Sequence, residues 1–87
     1  MALIDITTFR LAPGTTEEAF LEADERVRTS VLYQRPELVR ATTARGDDGE
    51  WTVIVLWDAA AAPVALGDTE LRPLVDGVER RQYHTLD

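Results

Sequence analysis

Few side chains in this sequence have the chemistry of a catalytic group. His84 is the single histidine, and histidine titrates near neutral pH without help from its surroundings. It could take the proton of a phenol or enol as a general base, or it could be an exposed bystander near the end of the chain. The chain has no cysteine, which excludes thiol nucleophiles, disulfides, zinc–thiolate sites and iron–sulfur clusters. No phosphate-binding or dinucleotide-binding motif is present either. We therefore expect no metal and no cofactor, and we take His84 as the candidate catalytic residue.

Two tryptophans are candidates for binding a flat molecule. Trp51 and Trp57 lie in one apolar run at even spacing, so both side chains point to the same face of a strand. An indole can form the wall of a site on which a planar ligand stacks. The alternative for either residue is simple packing in a subunit interface.

Three other side chains are weaker candidates. Arg10 and Arg80 could hold a substrate oxyanion through their guanidinium groups, although surface charge is the simpler interpretation of both. Tyr33 could reach a binding site from the end of a helix, or it could belong to the core or its rim.

The elements that would position these residues follow from local patterns. Apolar and β-branched runs predict strands, and a stripe at three- and four-residue spacing after Thr15 or Thr16 predicts a helix that ends near Tyr33 or Gln34. The capping-box spacing favours Thr15 with Glu18 at the start of that helix. We expect strands at 3–11, 38–45, 51–57 and 78–86, a hairpin turn at 46–49, a second helix capped by Asp58 and beginning at 59–62, a short helical piece at 69–75, and a turn at Asp76–Gly77.

The resulting order is strand, helix, strand, strand, helix, strand. This is the ferredoxin-like βαββαβ arrangement of the α+β class, with a four-stranded antiparallel sheet and the helices on one face. A chain of 87 residues has room for one such domain, residues 1–87.

The predicted third strand is apolar on both faces. Trp51, Val53, Val55 and Trp57 point one way, and Thr52, Ile54 and Leu56 point the other. Helices can cover only one face, so a second copy of the sheet is the simplest cover for the other, and we expect a homodimer. The smaller side chains, Thr52, Ile54 and Leu56, suit close packing beneath helices. The face with the two indoles suits a wider space. We therefore expect Trp57 to face a cavity or the interior of a barrel.

Charge and hydropathy exclude several classes of partner. The net charge is −7, and all the basic residues are arginine, with no clustering of cations that would contact phosphates. We expect no binding to nucleic acid and none to anionic membranes. No apolar run approaches the ~20 residues of a membrane span, and Met1–Asp5 has no basic region of a signal peptide. The expected location is cytoplasmic.

An ordered set of short motifs resembles a known family. The first strand ends in Ala12-Pro13-Gly14, Pro36-Glu37-Leu38 opens the second strand, and the third ends in Leu56-Trp57-Asp58. With the acidic helix, this set is similar to the antibiotic-biosynthesis-monooxygenase-like domains of the dimeric α/β-barrel superfamily.

The resemblance implies two sheets closed face to face, with a pocket between each sheet and its helix-side loops. The family includes cofactor-independent oxygenases of polyphenolic aromatics. Trp57 matches the tryptophan that lines the pocket in several of them. Such oxygenases carry an asparagine on the first strand that has no counterpart here, because this chain has no asparagine, and Thr7 lies in that region instead. Haem-degrading relatives use a histidine on the second helix, which has no counterpart here.

Two hypotheses of function follow. The chain is a homodimeric, cofactor-independent monooxygenase that binds a small aromatic molecule through Trp57, Trp51, Thr7, Arg10 and Tyr33. Alternatively, it is a non-catalytic ligand-binding or dimerisation module, which the missing asparagine and the interrupted second helical region favour.

Overall fold

The computed structural model describes residues 1–58 and 63–86. They form one antiparallel sheet in the order β2-β3-β1-β4, with the helix α1 and short 3₁₀ turns as its other elements. The bounds are β1 Ala2–Leu11, α1 Glu17–Ser30, β2 Leu38–Arg45, β3 Trp51–Asp58 and β4 Val75–His84, with 3₁₀ turns at Leu32–Gln34, Leu66–Asp68 and Arg72–Leu74.

The helix α1 begins and ends where local chemistry dictates. Thr16, rather than Thr15, is the N-cap: its Oγ1 accepts a hydrogen bond of 3.1 Å from the backbone N–H of Ala19. This satisfies one of the free donors of the first turn. At the other end the chain passes through the 3₁₀ turn Leu32–Gln34 and becomes extended at Arg35, as the following proline requires.

The predicted hairpin between β2 and β3 is confirmed. Gly46 N–H donates to the carbonyl of Glu50 at 2.7 Å, and Glu50 N–H donates to a carboxylate oxygen of Asp48 at 3.0 Å. Gly49 has a φ of +84°, a conformation that side chains disfavour, so glycine is needed there.

The core lies between α1 and one face of the sheet, called the helix side below. Phe20 of α1 is fully buried, with ring centroids 5.4 Å from Phe9 and 4.9 Å from Trp51. The helix side buries Trp51, Val53, Val55 and Trp57 of β3, together with Leu3, Asp5, Thr7 and Phe9 of β1.

The expected orientation of β3 is therefore wrong. Trp57 and its companions pack beneath α1, and Thr52, Ile54 and Leu56 occupy the opposite face, called the open face below. The physical reason is volume. One 14-residue helix leaves wide gaps over a four-stranded sheet, and large indoles fill them better than aliphatic side chains do.

The region between β3 and β4 is less helical than predicted. The start of the second helix, 59–62, lies outside the described residues. The predicted helical piece at 69–75 is instead the 3₁₀ turn Arg72–Leu74, preceded by Leu66–Asp68. Leu66 and Leu71 from this region are buried in the core, so it covers the sheet beside α1.

The last strand starts earlier than predicted. Asp76 and Gly77 lie inside β4, not in a turn before it. The pairing of β1 with β4 shifts register between Thr8 and Arg10, and Gly77 has a φ of +61°. A glycine with positive φ is typical of a β-bulge, which keeps the strand paired across the irregularity.

Candidate functional site

The register of the sheet brings Trp57 and His84 to the same end of the helix side. Leu3 pairs with Trp57 on one flank and with His84 on the other, so the three residues form a row across three strands. Two strand spacings separate the backbones of Trp57 and His84, about 10 Å. We call this set, Trp57, Leu3 and His84, the Trp57 row.

The two ends of the Trp57 row differ in access to solvent. Trp57 is 0% exposed, whereas His84 is exposed on β4. The indole Nε1 of Trp57 is buried and has no hydrogen-bond partner among the described residues. Buried polar groups in native proteins are nearly always paired, so this donor is an exception that needs an explanation.

A charged group borders Trp57 where the chain leads into β2. The guanidinium carbon of Arg35 lies 5.7 Å from the centre of the Trp57 ring, within the range of a cation–π contact. Arg35 Nε also lies 3.6 Å from Glu37 Oε2, an ion pair longer than a hydrogen bond. Glu37 Oε2 is buried and makes no hydrogen bond among the described residues. Neither Arg35 nor Glu37 was a candidate from the sequence.

The row next to Trp57 contains an ion pair between a buried carboxylate and a partly exposed arginine. Asp5 is 3% exposed and pairs across the sheet with Val55 and Gln82. Arg80 donates to both carboxylate oxygens of Asp5, with Nη2 2.7 Å from Oδ2 and Nε 3.0 Å from Oδ1. These hydrogen bonds raise the pKa of Arg80, and the charges of Asp5 and Asp68 add to the effect while burial opposes it. Arg80 is therefore committed to Asp5, a partner 75 positions away that local sequence patterns do not indicate.

The other candidates are dispersed. Thr7 is buried on the helix side, opposite Val53 and Arg80, two residues along β1 from Asp5. Trp51 is buried at the far end of β3, where the guanidinium of Arg45 lies 5.8 Å from its ring. The structure therefore separates Trp51 from the Trp57 row and gives it a core role beside Phe20.

Arg10 and Tyr33 lie away from the Trp57 row. Arg10 donates to the backbone carbonyl of Asp48 at 2.8 Å and lines an open, polar cleft of about 630 Å³ beside the hairpin. Tyr33 is 53% exposed in the 3₁₀ turn after α1, and it lines a shallow surface depression together with α1 residues.

The open face carries an apolar groove. Its volume is about 300 Å³, and almost all of its lining surface is apolar. Ile54 is 37% exposed there, which is unusual for a β-branched side chain at the centre of a sheet. The groove is lined by Ile4, Arg40, Thr42, Ile54 and Leu56.

The described residues show neither a cluster of metal ligands nor a membrane-spanning helix. Over 1–58 and 63–86, no group of three or more histidine, aspartate or glutamate side chains is arranged to hold a metal ion. Within the same ranges, no helix is long and apolar enough to cross a membrane.

The fold is similar to those of solved structures over its whole length. SnoaB, a cofactor-independent oxygenase from Streptomyces nogalater, matches with a TM-score of 0.74 and 21% identity over 99% of this chain and 94% of SnoaB. A protein of Shewanella oneidensis matches with a TM-score of 0.68 and 14% identity, covering 97% of this chain and 90% of that one. A protein of Pseudomonas aeruginosa matches with a TM-score of 0.62 and 21% identity, covering 99% and 95%.

Sequence comparison adds nothing to these matches, since no family model and no curated protein matches the chain. The expected strand order, antiparallel sheet and placement of α1 are all confirmed. This chain therefore has a ferredoxin-like fold, shared with SnoaB, with one long helix among its described residues.

Proposed function

We propose that this chain forms a homodimer that binds a small planar aromatic molecule on the helix side, next to Trp57, and oxidises it with dioxygen without a metal or cofactor. The observation that carries the proposal is the buried indole N–H of Trp57, which has no acceptor among the described residues. An oxygen atom of a ligand would supply that acceptor. The likeness of the fold to SnoaB supplies the class of reaction.

The Trp57 row defines how such a ligand would lie. A fused-ring molecule placed across Leu3 extends from Trp57 toward His84, because Leu3 is the partner of both residues in the sheet. Trp57 would hold one oxygen of the ligand by donating its N–H. Thr7 lies two rows away on the same face, and its hydroxyl could orient the ligand or dioxygen.

His84 has the chemistry of the general base in this scheme. It would take the acidic proton of the ligand, and its exposure lets that proton pass on to water. The resulting carbanion transfers electrons to dioxygen. At a ring methylene, one oxygen atom forms a new C=O bond, and the second leaves as water with the two hydrogens of the methylene. The substrate supplies all the electrons, so no external reductant is needed.

The open face supports the homodimer. Ile4, Ile54 and Leu56 line an apolar groove at the middle of this face, and the described residues place no element over it. Large exposed apolar patches are uncommon on monomers, and the fold resemblance implies sheets that close face to face. A second copy, with its own groove in the same place, is a self-complementary cover.

Oxygen uptake tests the reaction. Anthrone, which has a ring methylene beside aromatic rings, should consume an equimolar amount of dioxygen in the presence of the protein and a chelator. His84→Gln should abolish this uptake, while Tyr83→Phe, a neighbour that faces the opposite side of β4, should leave it unchanged. If His84→Gln oxidises anthrone at the wild-type rate, His84 is not the base. If the wild type shows no uptake above the uncatalysed rate with anthrone, the oxygenase proposal is wrong.

A second function is favoured by a specific observation. Trp57 is completely covered by packed side chains, and the chain has no asparagine at the position that the related oxygenases use. Both features suit a non-catalytic ligand-binding or dimerisation module. Ligand binding without oxygen uptake would indicate this alternative.

A further inference from the structure

Arg35 lies beside two side chains that each have a buried polar atom without a hydrogen bond. Trp57 Nε1 is a donor and Glu37 Oε2 is an acceptor, and neither has a hydrogen-bond partner among the described residues. Arg35 contacts both side chains, with its guanidinium over the Trp57 ring and its Nε 3.6 Å from Glu37 Oε2. We call Arg35, Glu37 and Trp57 the indole–carboxylate cluster.

The backbone fixes this cluster in place. Asp58 N–H donates to the carbonyl oxygen of Glu37 at 2.8 Å, and Leu38 is the cross-strand partner of Trp57. Glu37 is therefore tied to the residue that follows Trp57. Trp57, near the end of β3, and Glu37, just before β2, are therefore held close together by the pairing of these two strands.

The two atoms have complementary hydrogen-bonding roles. An indole nitrogen can only donate, and an ionised carboxylate can only accept. A hydroxyl group can do both at once, since its oxygen accepts and its hydrogen donates. A ketone or an ether oxygen could accept from Trp57 but could not donate to Glu37. The bond to Glu37 matters more, because a hydrogen bond to a charged group is stronger than one between neutral groups.

We infer that the indole–carboxylate cluster is a subsite for a hydroxyl group of the aromatic ligand, with Trp57 donating to its oxygen and Glu37 accepting its hydrogen. The guanidinium group of Arg35 lies over the indole ring, and its Nε lies beside the carboxylate of Glu37. This inference rests on the proposed function, because it places the ligand beside Trp57. It adds that Glu37 determines specificity and selects phenols over their methyl ethers.

A matched pair of probes tests this selection. 2-Naphthol and 2-methoxynaphthalene have the same ring system, and only the first can donate to Glu37. Calorimetric titration of the wild type should show 2-naphthol binding about tenfold more tightly or better, the scale of one charge-assisted hydrogen bond. Trp57→Phe keeps an aromatic ring but removes the donor, so it should weaken the binding of both probes.

Glu37→Met removes the acceptor at similar length. It should bring the affinities of the two probes together while leaving that of 2-methoxynaphthalene near the wild-type value. Glu22→Met, at an exposed position of α1, is the matched control and should keep the preference. If Glu37→Met does not fold, Glu37→Gln retains a neutral acceptor and should reduce the preference several-fold.

The outcomes separate the two proposals. If the wild type binds both probes with equal affinity, or if the folded Glu37 variants keep the full preference for 2-naphthol, the subsite is wrong, although an aromatic site beside Trp57 still stands. If the wild type binds neither probe, the aromatic site fails, and the subsite fails with it.

Discussion

Neighbouring positions on β3 give opposite predictions for the same substitution. Ile54 is 37% exposed on the open face, whereas Val55 is 4% exposed beneath α1. We expect Ile54→Glu to produce a stable monomer and Val55→Glu to destabilise the fold strongly. Each variant is the other's control, because chain length, charge change and strand are identical.

The cost at Val55 follows from its surroundings. A glutamate there would be buried without a cation of its own, and its cross-strand partner in β1 is Asp5, which is already ion-paired to Arg80. An uncompensated buried charge costs about 3–5 kcal/mol. A domain of this size is stable by roughly 5–10 kcal/mol, so the variant should lose about half of its stability and melt at a much lower temperature than the wild type.

The substitution Ile54→Glu should weaken dimerisation rather than folding. The cross-strand partners of Ile54 are Ile6 and Thr42, and the side chain is partly in water already, so the monomer should change by only about 0.5 kcal/mol. In a dimer joined through the open face, each copy loses about 1.5 kcal/mol or more of apolar burial. Because the dimer contains the substitution twice, its dissociation constant should rise about 100-fold or more.

Sedimentation velocity and thermal unfolding read out both effects. The wild type should sediment as a dimer at micromolar concentration, and Ile54→Glu as a monomer with a nearly unchanged far-ultraviolet spectrum. A wild-type monomer, or an Ile54→Glu dimer of wild-type affinity, would refute the assignment of the open face to the interface. A Val55→Glu variant with the wild-type melting temperature would refute the orientation of β3.

Two further predictions concern stability. Arg80→Met leaves the Asp5 carboxylate buried without its cation, so it should lower the free energy of unfolding by about 3 kcal/mol, measured by urea titration. Adding Asp5→Leu to this variant should recover part of the lost free energy. If the two substitutions instead cost the sum of their separate effects, the two side chains act independently. Thr16→Ala removes the N-cap of α1 and should lower the free energy of unfolding by about 1 kcal/mol in the same titration. Thr15→Ala is the control and should change it little. Equal losses in the two variants would contradict the observed cap.

Local signals in the sequence were sufficient for most of the elements. The bounds of β2 agree with the prediction residue for residue, and β3 extends one residue further, because turn residues end both apolar runs. The capping-box spacing favoured Thr15, but Thr16 carries the same hydroxyl and is the residue that caps α1. The strand character of Asp76 and Gly77 was missed because a bulge and a turn use the same residues.

Only part of the candidate site could be predicted from the sequence. Trp57 and His84 were named from their chemistry, and the sheet register then placed them in one row. Asp5, Arg35 and Glu37 were not candidate site residues, because an acid or an arginine read in isolation is most simply a surface charge. Their roles depend on burial and on partners in other elements.

The period of local hydrophobicity was enough to predict the order of the strands and of α1, and which side chains share each face of β3. It did not determine which face α1 covers, because Trp51, Val53, Val55 and Trp57 on one side and Ile54 and Leu56 on the other are both apolar enough to be buried. Packing in the folded chain selects the covered face, because one helix leaves space for large side chains above a wide sheet. The same packing brought Arg35 against Trp57 and Arg80 against Asp5, contacts that arise between elements.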